Sequence, residues 1–190
     1  MRKFRKVVSF CMCVITLIMC LNLNVSAIYQ DDSVYVPTVK QAKSNWCWAA
    51  CAEMAGKNVT PSSTRTQYDV VTYIKGEGYP NSFGSLSDCA SGARYVSLNA
   101  KTYYTTGVMS YNSINSMVRN GYAMIIVCRN SNGAHALLVY GTILSDTSGG
   151  TKTYLNFVDP WYGGRYQIEY QDIISTGYQG KVYDSTAYPS

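Results

Sequence analysis

The apolar positions of the chain fall into three regimes. An apolar run extends from Val7 to about Leu21. From 28 to 43 the apolar residues thin out to Val34, Val36 and Val39 around Pro37, and the segment reads as an extended lead-in. Trp46 to Ala55 then carries Ala49, Ala50, Ala52 and Ala55, small residues of high helix propensity that allow close packing. Ser44 or Asn45 can cap this helix at its start and Gly56 can close it. Weaker helical patterns follow at 62–75 and 85–97. A short helix is expected from Tyr111 to Arg119, stopped at Asn120-Gly121.

Beyond Gly121 the period changes. Tyr122 to Arg129 is a continuous apolar stretch around Ile125, Ile126 and Val127, as in a strand buried on both faces. Asn130-Ser131-Asn132-Gly133 is a turn. Ala134 to Thr142, Thr153 to Asp159 and Arg165 to Tyr170 read as further strands. The last alternates Tyr166, Ile168 and Tyr170 against Arg165, Gln167 and Glu169. Helices first and meandering strands second predict an α+β domain with two lobes, without internal repeat or linker.

The first apolar run changes the reading of composition. Arg2, Lys3, Arg5 and Lys6 precede it, and Val25-Ser26-Ala27 is a small-x-small cleavage pattern, so residues 1–27 read as a secretory signal peptide. An uncleaved anchor would need about 20 apolar residues. A lipid anchor at Cys20 is disfavoured by the bulky Met19. The expected mature chain, 28–190, is one exported domain. It keeps twelve basic and eleven acidic residues, so the apparent basicity belongs to the leader and is no nucleic-acid footprint. Four cysteines remain: Cys47, Cys51, Cys89 and Cys128. An exported domain permits disulfides, and Cys51–Cys89 is the pair to consider. All 18 tyrosines are in this part, suited to a half-exposed sheet or a groove.

Candidate chemistry starts at Cys47, in the first turn of the expected helix, where backbone N–H groups and the macrodipole favour an anion such as a thiolate. Taken alone, a cysteine is more often a small buried hydrophobe. Cys51, one turn deeper, suits packing better. The chain has a single histidine, His135, just after the Asn-Gly turn. If a base activates a cysteine here it is this residue, although an isolated histidine there would be an ordinary turn residue. Asp159 ends a neighbouring strand and can orient the imidazole; Asp146, in the connecting turn, is its rival. Gln41 could swing its amide toward an oxyanion beside the Cys47 N–H. One histidine and no Cys-x-x-Cys leave too few ligands for a zinc site.

Together these segments look like one family. Gln41, then five residues, then Cys47-Trp48 resembles the glutamine-cysteine-tryptophan signature of papain-like cysteine peptidases. The run Gln41-Ala-Lys-Ser-Asn-Trp-Cys-Trp-Ala-Ala50 with Met54 is closer to a bacterial branch. That branch includes a type III effector protease of plant pathogens and, more distantly, the staphopains and bacteriocin double-glycine peptidases. His135-Ala-Leu-Leu-Val-Tyr-Gly141 resembles the histidine strand, and Asp159-Pro-Trp-Tyr-Gly163 the third catalytic segment, with Trp161 shielding the Asp–His bond. The resemblance covers about 34–170. It implies a papain-like two-lobed fold, with the nucleophile on an N-terminal helical lobe and histidine and aspartate on a C-terminal antiparallel sheet.

The implied activity is a secreted cysteine endopeptidase using Cys47, His135, Asp159 and the oxyanion donor Gln41, with Trp48 and Trp161 in support. No metal or organic cofactor is expected. Expected partners are a protein or peptide substrate and a proteinaceous inhibitor, with no nucleic acid and, after leader cleavage, no membrane; the chain is expected to be a monomer. Only 19 residues separate Ile28 from Cys47, so activity is expected without a pro-domain. A cell-wall peptide hydrolase and a non-catalytic binding module or toxin are the rival readings.

Overall fold

The computed structural model describes residues 28–189; the expected leader, 1–27, lies outside the described residues. Five helices and seven strands form a mixed helix and antiparallel-sheet fold, compatible with a papain-like α+β domain. The strands are β1 (Ile28–Ser33), β2 (Thr102–Thr106), β3 (Met124–Asn130), β4 (Gly133–Thr147), β5 (Gly150–Asp159), β6 (Gly164–Glu169) and β7 (Val182–Pro189). The helices are α1 (Cys47–Val59), α2 (Gln67–Lys75), α3 (Leu86–Val96), α4 (Tyr111–Arg119) and α5 (Tyr170–Ser175).

The sheet runs β2-β7-β3-β4-β5-β6, and β1 also pairs with β4. β4 is long enough to hold two partners on one side: β3 pairs with Gly133–Val139 and β1 with Gly141–Asp146. Alternation along β3 and β4 explains the continuous apolar runs. Ile125, Ala136 and Leu138 face a core with α1, α2 and α3. Met124, Ile126, Leu137 and Val139 face a second core with Phe157 and with Tyr111, Ile114 and Ile173 of α4 and α5. A central strand covered on both faces has no polar side to alternate with.

The structure departs from the sequence reading at several points. α1 does not stop at Gly56 but runs on to Val59. Gly56 serves a close approach of helices: a Cβ there would lie 2.4 Å from Val96 Cβ and 2.9 Å from the Ala93 carbonyl. The strand expected to reach Tyr170 ends at Glu169, where α5 begins. β2 and β7 form one edge of the sheet where no strand was expected. Cys51 and Cys89 are free thiols, so the disulfide considered between them is absent.

Gly56→Ala should therefore destabilise the domain although alanine is the better helix former by about 1 kcal/mol. Overpacking against α3 is expected to lower unfolding free energy by ~1–3 kcal/mol in a denaturant titration. A gain in stability would mean that α1 and α3 do not meet at this glycine.

Candidate active site

Cys47 is the first residue of α1. Trp46 occupies the N-cap and no side chain caps the helix, so neither Ser44 nor Asn45 takes the expected role. The first N–H groups of α1 are thus not consumed by a side-chain cap. What holds the loop instead is a set of tertiary bonds. Gln41 N–H donates to the Pro160 carbonyl at 2.8 Å. Ala42 N–H donates to Gln67 Oε1 at 2.8 Å, and Gln67 Nε2 donates to the Lys40 carbonyl at 2.9 Å. Asn45 donates twice to Asn81, from its backbone N–H to Oδ1 and from Nδ2 to the carbonyl, and Trp46 Nε1 donates to the Pro80 carbonyl at 3.0 Å.

Asn130-Gly133 reverses the chain as expected, and Gly133 takes φ +132°, open to glycine but strained for other residues. His135 follows on β4. Leu138 pairs with Val158, so Asp159, the next residue of β5, comes within reach of His135 on the adjacent strand. His135 Nε2 lies 2.7 Å from Asp159 Oδ1. Asp159 is fully buried. Its Oδ1 also accepts from the Trp161 N–H at 2.8 Å, and its Oδ2 accepts from the Tyr178 hydroxyl at 3.0 Å. Asp146 lies elsewhere on β4, opposite Ile28, and accepts from Thr151 Oγ1. Cys47 and His135 line the same recess; with Nε2 on Asp159, Nδ1 is the nitrogen left for the thiol.

The electrostatics follow this arrangement. Burial alone would depress His135, but the hydrogen bonds and charges of Asp159 and Cys47 outweigh it and raise its pKa from 6.5 to about 9. Burial would raise Asp159, yet its bonds to His135, Trp161 and Tyr178 hold it below 3.8. Burial, then the Asp159 charge, pushes the Tyr178 hydroxyl up. The stabilisation from His135 is therefore complete below 6.5 and lost as pH rises through about 9. That from Asp159 is complete above 3.8 and lost at more acid pH. Burial drives the Cys51 and Cys89 thiols well above their ordinary range and Cys128 to about 12. Buried, protonated thiols are poor nucleophiles, and Cys47 alone among the four is not fully enclosed.

The remaining expected residues are also nearby. Trp48 is buried, donates Nε1–H to the Ser82 carbonyl at 3.1 Å, and lies under Gly84, whose Cβ would sit 2.3 Å from the indole. Trp161 is about half exposed and stands at the mouth of the recess that holds Cys47 and His135. Gln41 is buried; its Nε2 donates to the Lys43 and Ser44 carbonyls, both at 2.9 Å, and its Oε1 has no partner among the described residues. The sequence reading missed Tyr178. Its only sequence signal is a position before Gln179-Gly180, a turn pair. Among the described residues no three His, Cys, Asp or Glu side chains gather as a metal-binding group.

Against models of protein families, residues 27–174 match the one described as papain-like cysteine protease AvrRpt2. No curated protein matches the chain. The matched segment contains Cys47, His135 and Asp159 but ends before Tyr178.

With one histidine in the chain, an imidazole NMR titration reads His135 alone. The expected midpoint is about 9 in the wild-type protein. In Asp159→Asn it should fall toward 6.5, because the carboxylate that holds the proton is gone. An unmoved midpoint would break the pairing.

Proposed function

The chain belongs to the papain-like cysteine protease family and is a cysteine peptidase, and we propose that Cys47, His135 and Asp159 form the catalytic triad of an exported endopeptidase. The observation that carries this reading is the chain's one imidazole, bonded to a buried carboxylate and lining the same recess as Cys47. Export rests on the leader-like sequence of residues 1–27.

The chemistry is acyl transfer. Asp159 fixes the His135 tautomer and orientation through Nε2. Proton transfer from Cys47 to His135 leaves a thiolate beside an imidazolium. The sulfur attacks a peptide carbonyl carbon, forming a C–S bond and moving an electron pair onto oxygen. The Cys47 N–H, at an uncapped helix start, is one donor to that oxyanion. Gln41 is the side-chain donor in this reading. Its amide must release the Ser44 or Lys43 carbonyl to reach the oxyanion, and its unpartnered Oε1 imposes no bond that opposes the turn. Collapse breaks the C–N bond, and the amine leaves with the His135 proton. A water, deprotonated by His135, then attacks the thioester and releases the acid and Cys47. In this reading the helices α1–α3, with Cys47, would serve as one papain-like lobe and the sheet, with His135 and Asp159, as the other.

An epoxide inhibitor of papain-like peptidases tests the reading directly. A single adduct at Cys47, found by peptide mass and absent in His135→Ala, is the expected result. Labelling at another cysteine, or none in folded protein, would overturn the assignment and bring the binding-module reading forward.

Gln41→Ala separates the oxyanion role from mere support of the loop. Loss of an oxyanion donor should reduce kcat about 10²–10³-fold with KM little changed. If the amide only braces the Lys43 and Ser44 carbonyls, the loss will appear in thermal stability with kcat nearly intact.

A further inference from the structure

Two recesses meet at Cys47, and a third adjoins them. The first, about 260 Å³, is largely apolar and includes Trp48, Cys89, Val127 and Ala136, with Arg129 in its lining. The second, about 230 Å³, is lined by Cys47, His135, Trp161, Gln179 and Lys181. The third contains Lys40 and Lys43 and shares Ser44 and Trp161 with the second. Two cations, Arg129 and Lys181, line the recesses at Cys47, two more, Lys40 and Lys43, line the adjoining one, and no aspartate or glutamate lines any of the three. The chain from residue 28 onward is nearly neutral, with twelve basic and eleven acidic residues, so this is a local gathering of charge.

The four are not equivalent. Arg129 pairs with Asp184 at 3.5 Å, and Lys43 Nζ donates to the Tyr79 carbonyl at 2.6 Å while lying over the Trp46 ring. Lys40 is exposed at the far end. Lys181 is half-buried, lies in the same recess as Cys47 and His135, and makes no ion pair or side-chain hydrogen bond among the described residues.

Its backbone is firmly held. Tyr178 and Lys181 exchange backbone hydrogen bonds of 2.9 and 3.0 Å across a tight turn. The two central residues, Gln179 and Gly180, both have positive φ, +52° and +71°, as a type I′ turn requires. Gly177 packs against the Lys181 carbonyl, where a Cβ would come within 2.3 Å. Tyr178 in turn donates to the buried Asp159. The residue that steadies the aspartate therefore also fixes the base of the lysine.

On the catalytic reading above, we infer that Lys181 is a specificity-determining residue that selects acidic peptides, binding an aspartate or glutamate side chain next to the scissile bond. A cleft lined by one sign of charge concentrates the opposite sign, and an ammonium without a protein partner in a half-enclosed site gains most from a carboxylate brought by the substrate. The turn that carries it, residues 177–181, lies beyond the matched family segment, which ends at 174.

The test is a set of fluorogenic peptides in which Asp or Glu replaces Asn or Gln at each position from four before to three after the scissile bond. At a position beside that bond the carboxylate should raise kcat/KM by about tenfold over the isosteric amide. Lys181→Met should erase that ratio, Lys181→Glu should reverse it in favour of the amide, and Lys181→Arg should keep it. Added salt should shrink it. Equal cleavage of acid and amide at every position, or a ratio unchanged in Lys181→Met, overturns the inference and leaves the triad standing. Failure to cleave any peptide overturns the catalytic reading, and this inference with it.

Discussion

A carboxylate with no contact to water is the constraint around which this site is arranged. Asp159 is fully buried and held in its charged form. Burying an ion without partners is prohibitively unfavourable, so three donors must be present in the folded state. They come from three separate segments: the imidazole from β4, a backbone N–H from the turn after β5, and the Tyr178 hydroxyl from the turn between α5 and β7. Satisfying one charge therefore pins three loops. It also leaves the imidazole one open nitrogen and one orientation, the condition for its serving Cys47.

The segment that leads into Cys47 is positioned by a second buried acid. Glu53 lies on α1 and is nearly enclosed. It accepts from Lys57 at 2.6 Å and from the Gln67 N–H at 2.7 Å. Gln67 then reaches across with its amide to Lys40 and Ala42, the residues on either side of Gln41. The strand-like approach to Cys47 is thereby bound to α2 through a side-chain amide rather than through a helix cap. A cap residue would use the N–H groups at the start of α1 for stability. Replacing it with tertiary hydrogen bonds keeps those groups for a ligand.

How much of this the sequence could disclose depends on how local each signal was. Cys47, His135 and Asp159 were legible because each sits at a break in pattern: a helix start, a turn-strand junction and a strand end before Pro160. The apolar runs of β3 and β4 were legible because burial on both faces leaves no polar residue to interrupt them. Gly56 misled because glycine ends helices more often than it lets two of them touch, and its partner Val96 is 40 residues away. β2, β7 and α5 were missed because Thr102–Thr106 and Val182–Pro189 form strands by pairing with each other and with β3, an interaction without a local pattern. Gln67 and Tyr178 were invisible for the same reason: an amide or hydroxyl acquires its meaning from a distant partner.

The charge of the cleft shows the same limit in another form. Along the sequence, Lys40, Lys43, Arg129 and Lys181 form no cluster, and the near balance of basic and acidic residues argued only against a nucleic-acid footprint. A net charge constrains only a sum, whereas a substrate meets the field of its own groove. The sheet order determines that field. It sets β7 beside β3, one strand removed from β4, and the turn before β7 lines the same recess as His135. The loop before α1 supplies the opposite wall. Asp184 opposes Arg129 alone, and Asp159 is enclosed and already engaged by three donors. Burying Asp159 against His135 therefore has two effects at once: it raises the basicity of His135, and it keeps the acid itself out of the wall of the cleft.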